Sequence, residues 1–192
     1  MAVRIGVVSD VHCGHEQLGR ALDAMSCDVD TVWCAGDIVL QYRFCSVTTR
    51  LLRDAGVVAI QGNHDMVLVS DAGIDARTAP GAHPDEVAWL AGLALEHRVT
   101  IDGVRVLMTH GSPWAPHGDY LSSRNDQWRR ADELGVDILI TGHTHEPMVA
   151  TFGSTLVVNP GSLTEPRQRE DRCGTYAIVD TTQRAAEVRH LR

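Results

Sequence analysis

The chain has 192 residues, 44% hydrophobic and 22% charged, with a formal net charge of −8. A chain of this length buries about 70% of its unfolded surface in one domain, so no disulfide staples are required. The acidic balance excludes a general nucleic-acid binder, which needs a basic footprint; all 17 basic residues are Arg, which excludes a Schiff-base lysine or a lysine-bearing phosphate loop.

Short apolar runs alternate with helix-like stretches, the pattern of an α/β domain spanning 1–192. Residues 3–8 (Val-Arg-Ile-Gly-Val-Val) read as a strand. They lack a signal-peptide layout, and no run approaches a membrane span. A helix is expected around 16–25, a strand over 31–35, a helix around 44–55 and a strand over 57–60. The stretch 66–84 is the least regular and reads as a loop over the site. His83-Pro84 opens a helix over 85–93, because proline is tolerated at a first helical position. Strands 98–101 and 105–108 form a hairpin turning at Asp102-Gly103. A helix over 126–134 stops before Gly135, and 137–140 is a buried strand. Residues 148–152, 155–158 and 176–180 read as strands without intervening helices, so the pattern is a βαβ first part and then an antiparallel second part. The five cysteines, Cys13, Cys27, Cys34, Cys45 and Cys173, are odd in number and without paired spacing. They read as inert thiols in a reducing, cytoplasmic setting.

The chemistry lies in the residues at the carboxyl end of each strand. Val8 leads into Ser9-Asp10-Val11-His12, Ala35 into Gly36-Asp37, and Ile60 into Gln61-Gly62-Asn63-His64-Asp65. Met108 leads into Thr109-His110-Gly111, and Ile140 into Thr141-Gly142-His143-Thr144-His145. Ligands of α/β sheets bind beyond the carboxyl ends of the strands, so five such ends can converge on one crevice. Each delivers Asp, Asn or His, the donors that divalent metals use. Asp10/His12 and His143/His145 are spaced by two, which puts each pair on one face of an extended segment.

This ordered set resembles the calcineurin-like metallophosphoesterase superfamily, in its branch of small bacterial and archaeal phosphodiesterases. The likeness runs from Asp10 to Asn159-Pro160-Gly161-Ser162 and Pro166-Arg167. The resemblance implies a four-layer α-β-β-α sandwich of two mixed sheets, with a dinuclear metal site at the strand ends. It implies one metal on Asp10, His12 and His145, a second on Asn63, His110 and His143, and Asp37 bridging them. The cofactors implied are two divalent transition-metal ions, manganese foremost and iron, zinc or nickel as alternatives. A metal-bridging hydroxide, generated between ions roughly 3.5–4 Å apart, would attack phosphorus. His64 would take the role of the histidine that stabilises the phosphoryl group or protonates the leaving oxygen, with Asp65 either holding its ring or capping the loop as a carboxylate acceptor. Gly36-Asp37 continues as Ile38-Val39-Leu40 instead of Asp-Arg-Gly, which argues against a eukaryotic-type protein phosphatase.

The expected partner is a small phosphate ester, with no membrane and no general nucleic acid. Arg167 and Trp114 are candidate substrate contacts, through forked donors and cleft lining. His15, His83, His97, His117 and His190 match no ligand position. Two alternatives stand beside hydrolysis of a phosphodiester or phosphomonoester. One is a non-catalytic scaffold like the retromer subunit of the same superfamily; the other is a specialised cyclic-nucleotide or dinucleoside polyphosphate hydrolase.

Overall fold

The computed structural model describes residues 3–114, 118–165 and 174–191. Two five-stranded mixed sheets lie face to face. The first has the order β10-β9-β1-β2-β3, the second β4-β5-β6-β8-β7. In chain order the strands are β1 (Arg4–Val8), β2 (Thr31–Cys34), β3 (Val58–Ala59), β4 (Glu96–Ile101), β5 (Val104–Thr109), β6 (Ile138–Ile140), β7 (Met148–Phe152), β8 (Thr155–Asn159), β9 (Thr175–Asp180) and β10 (Ala185–His190). The helices are α1 (His15–Met25), α2 (Ser46–Asp54), α3 (Asn63–Val69), α4 (Ile74–Thr78) and α5 (Pro84–Ala91), with 3₁₀ turns at Asp71–Gly73 and Asp126–Leu134.

The period-two side-chain alternation of the strands explains the layers. Ile5 and Val7 of β1, Val106 and Met108 of β5, Ile138 and Ile140 of β6 and Val158 of β8 point inward and form the core between the sheets. Their neighbours point outward. Val8 belongs to a buried cluster with Leu18, Ala21 and Met25 of α1, Leu52 of α2, Leu68 of α3 and Leu90 of α5. On the opposite side Leu107, Leu139 and Val157 meet Trp128 of the long 3₁₀ segment. The inner strands of both sheets are therefore buried on both faces, which is what near-continuous apolar strands such as β1 and β6 require.

The structure corrects several expectations. From residue 148 on the strands pair antiparallel with one another, β7 with β8 and β9 with β10, but β8 also runs parallel to β6, as β6 does to β5, where the 3₁₀ segment serves as the crossover. β9 and β10 return to complete the first sheet. β10 has no counterpart among the expected strands, since Glu187, Arg189 and His190 obscure its alternation; charged residues on an edge strand limit pairing with other chains. Residues 66–84 are largely helical, holding most of α3 and all of α4. Two of the cysteines expected as inert thiols are bonded: Cys13 and Cys45 form a disulfide with Cα atoms 5.5 Å apart, while Cys34 is buried and Cys27 exposed as thiols. The Asp102-Gly103 turn is as expected, with positive φ at both residues, which matches strand twist in a two-residue hairpin. Among the described residues no helix is long and apolar enough to cross a membrane.

Candidate metal centre

All five strand ends reach one edge of the sandwich. Loop packing there is tight: a Cβ on Gly36 would lie 2.6 Å from Gly62 N, and one on Gly62 would lie 2.1 Å from Asp37 Oδ1. Only glycine lets the second and third loops nest this closely. Six of the eight non-glycine residues with positive φ among those described are Asp10, His12, Cys13, Asp37, His143 and His145. Backbone in that region is costly for residues with a Cβ, and its clustering is a mark of a functional site.

Cross-loop hydrogen bonds hold these conformations. Asp10 N donates to Gly36 O at 3.0 Å and His12 N to Asp37 O at 2.9 Å. His143 N donates to Asp10 Oδ2 at 3.0 Å. The Asn159-Pro160-Gly161-Ser162 segment braces the set from behind: Asn159 Nδ2 donates to Gly142 O at 2.7 Å, and Ser162 Oγ to Asp10 O at 2.8 Å. α3 begins inside the site, where the His64 N–H donates to Asp37 Oδ1 at 2.8 Å, so the partially positive end of a helix faces this carboxylate.

Around these supports the side chains form two outer groups joined by a third, His12, Asp37 and His64. Ligand atoms of Asp10, His12 and His145 lie within 4.8 Å of one another, as do those of Asp37, His110 and His143. Asp37 Oδ2 sits between the groups, 3.3 Å from His110 Nε2 and 4.0 Å from His12 Nε2. Asn63 Oδ1 is 3.1 Å from His110 Nε2. The seven residues expected to hold metals are thus brought together.

The donor chemistry fits a pair of divalent cations. His12 Nε2 and His145 Nε2 face each other at 3.2 Å, and two lone pairs aimed at one point are unfavourable without a cation or proton between them. Asp10 Oδ1 is buried and finds no hydrogen bond beyond the 3.2 Å approach of His145. Outer contacts fix which nitrogen is free: His110 Nδ1 donates to Ala35 O at 2.7 Å, and His145 Nδ1 to Glu165 O at 3.0 Å. Such contacts are how metal-ligating imidazoles are oriented. His143 uses Nε2 towards Gly118 O at 3.1 Å, which leaves Nδ1 to carry its lone pair. Burial lowers the His110 imidazolium, but the Asp37 carboxylate outweighs it and the net direction is up. Burial likewise raises Asp37, and His110 brings it down below the ordinary carboxylate range. Each partner thus favours the charged form of the other across 3.3 Å, at no net charge.

His64 lies at the rim, its side chain 27% exposed and Nε2 4.0 Å from Asp37 Oδ2. Of the two roles open to Asp65, the structure bears out the loop cap and not the hold on the His64 ring. The Asp65 carboxylate is fully buried and accepts from Gly62 N at 2.9 Å, Ile38 N at 3.0 Å and Val39 N at 3.0 Å, while His64 Nδ1 has no partner among the described residues. The reason is geometric: His64 and Asp65 are consecutive in α3, and adjacent residues of a helix do not face each other. Burial and the nearby Asp37 charge push the Asp65 carboxyl up to about 7 against those three N–H groups. Trp114 is also corrected. It packs edge-on against Trp128 in the outer cluster, with Arg130 over its ring, rather than lining the cleft. Arg167 falls outside the described residues.

A cavity of about 530 Å³ opens beside Asn63, His110 and His143. Met66, Leu95 and Glu96, which also line it, belong to no motif. Tyr120, stacked on the His143 ring at 3.7 Å, likewise carries no signal in the sequence beyond its place in the irregular stretch after Ser112.

Comparison with known proteins agrees with this geometry. A probable metallophosphoesterase from Methanothermobacter thermautotrophicus is 31% identical over 85% of this chain and 78% of its own. A phosphodiesterase from Methanocaldococcus jannaschii is 25% identical over 95% of both chains. The crystal structure of a hypothetical protein from Pyrococcus horikoshii superposes with a TM-score of 0.83 at 19% identity, covering 99% of this chain and 88% of that one, a likeness of fold. The model of the calcineurin-like phosphoesterase superfamily domain matches residues 3–184. With a match that takes in every strand-end loop described above, this chain belongs to the calcineurin-like phosphoesterase superfamily.

Proposed function

We propose that the protein hydrolyses phosphate esters, diesters in preference to monoesters, using two divalent transition-metal ions, manganese foremost. Asp10, His12 and His145 would hold one ion, Asn63, His110 and His143 the other, and Asp37 both. When bound, such a pair supplies a water activated at neutral pH and neutralises phosphoryl oxygens. The observation that carries the reading is the convergence of seven oxygen and imidazole donors, with orphaned buried lone pairs, at one end of the sandwich.

The chain's own residues do the rest. Asp37, pinned through Oδ1 by the His64 amide, keeps Oδ2 directed between the two groups. His64 stands at the edge with Nε2 directed inward and its side chain reachable from solvent. It is placed to hold a proton against a phosphoryl oxygen or deliver one to the departing alkoxide, the task of a general acid. Diester preference rests on charge: none of the described residues lining the cavity is Arg, and the chain has no Lys. The second negative charge of a monoester therefore finds no cationic side chain among the described lining residues.

The test is turnover of bis(p-nitrophenyl) phosphate and p-nitrophenyl phosphate by protein stripped of metal and then reloaded with manganese, iron, zinc or nickel. The reading predicts activity that depends on added metal and favours the diester. A fully loaded protein inert towards a broad ester panel would return the scaffold reading.

A further inference from the structure

We infer that the cavity beside His110 and His143 binds an uncharged, largely apolar substituent on phosphorus, so that the enzyme selects diesters whose second alcohol carries an apolar or aromatic group and disfavours those carrying a second phosphate. The inference rests on the phosphoesterase reading above and names its substrate class.

Three observations carry it. First, the cavity is continuous with the candidate metal groups, because His110 and His143 form part of its wall. Its volume of about 530 Å³ is in the range of small-molecule sites. Second, Met66 of α3 and Leu95 just before β4 line it while remaining 46% and 57% exposed. Single exposed hydrophobics need no explanation. Two flanking one cavity, next to a cluster of reactive groups, leave apolar surface that a ligand can cover. Third, among the described lining residues the only ionisable side chain apart from the histidines is the Glu96 carboxylate. Glu96 pairs in register with Thr109, and directly opposed residues share a face of a sheet. A second phosphate entering here would meet this carboxylate with no Arg of the described lining beside it.

The test uses diesters that share a p-nitrophenolate leaving group and differ in the second alcohol: methanol, phenol or 2-phosphoethanol. For the manganese-loaded parent, kcat/KM for the phenyl diester should exceed that for the methyl diester by on the order of tenfold, as burying one ring in an apolar site gives. The phosphoethyl diester should fall below both. In Leu95→Arg, and independently in Met66→Arg, the phenyl-to-methyl ratio should drop several-fold and the phosphoethyl diester should gain. Both positions are exposed enough to accept the change without unfolding. Turnover of the methyl diester without a phenyl preference overturns the cavity assignment and leaves the phosphoesterase reading standing. If no diester is turned over, that reading falls, and calorimetry decides on the cavity alone. Tighter binding of phenylphosphonate than methylphosphonate, lost in Leu95→Arg, upholds it; equal binding overturns it.

Discussion

Replacing Asp65 by Asn tests the role that the structure, rather than the motif, gives this residue. The carboxylate accepts backbone N–H groups from Gly62, Ile38 and Val39, all buried. It thereby ties the loop carrying Asp37 to the loop carrying Asn63. An Asn side chain has one acceptor oxygen. Placed on Ile38 and Val39, it turns its NH₂ towards the Gly62 N–H, donor against donor. Because burial and Asp37 push the Asp65 carboxyl up to about 7, its charge adds little net; a neutral hydrogen bond contributes about 0.5–1.5 kcal/mol, and a buried donor left unpaired costs about 1–3 kcal/mol. The loss of one such bond, with its donor left unpaired, gives about 1–3 kcal/mol of destabilisation. Urea unfolding of metal-free Asp65→Asn should show it as a lower midpoint at unchanged slope. Metal affinity should fall roughly 10–100-fold, as for other supports behind ligands. A variant as stable as the parent, with normal metal content and only kcat reduced, would refute the clamp and restore the role of orienting His64.

Other expectations rest on the same geometry. His64→Ala should lower kcat by about 10²–10⁴ while both metals remain bound, checked by steady-state turnover with elemental analysis; parental activity on aryl diesters would remove its assigned role. Reducing the Cys13–Cys45 bond, which closes a separation of 32 residues, should cost about 3–4 kcal/mol in the chain-entropy account, read as a shift of the denaturation midpoint with and without thiol. The Arg105 guanidinium and amide hold the Asp137 carboxyl at about 2, below its unfolded value of about 3.9. Its contribution to stability is therefore present above pH ~4 and lost as pH falls towards 2; Asp137→Asn should flatten that part of the acid-unfolding curve.

The site is more legible in the sequence than the sheets around it. Asp10, Asp37, Asn63, His110 and His143 stand out because polar donors come directly after buried apolar runs, and the glycines beside them mark close loop approach. Sheet order depends on long-range pairing that no local pattern encodes: β9 inserts beside β1 from the far end of the chain, and β10 hides behind charged residues. Helix α3 escapes a pattern-based reading because its first residues are the motif itself, so its short apolar face has no recognisable start. For the same reason the sequence leaves Asp65 between holding the His64 ring and capping its loop; the helix decides it, because there the carboxylate turns back to the cap. The Cys13–Cys45 pairing joins loops that spacing alone does not bring together. Glu96 gains meaning only from the register of β4 on β5, and Leu95 only from the cavity it lines beside the candidate metal groups.

The central claim, that these side chains form one nest for two cations, is tested most directly by anomalous diffraction from crystals of the manganese-loaded protein. The account predicts two peaks, one among Asp10, His12 and His145 and one among Asn63, His110 and His143, with Asp37 touching both. A single peak, or peaks away from these residues, would contradict it.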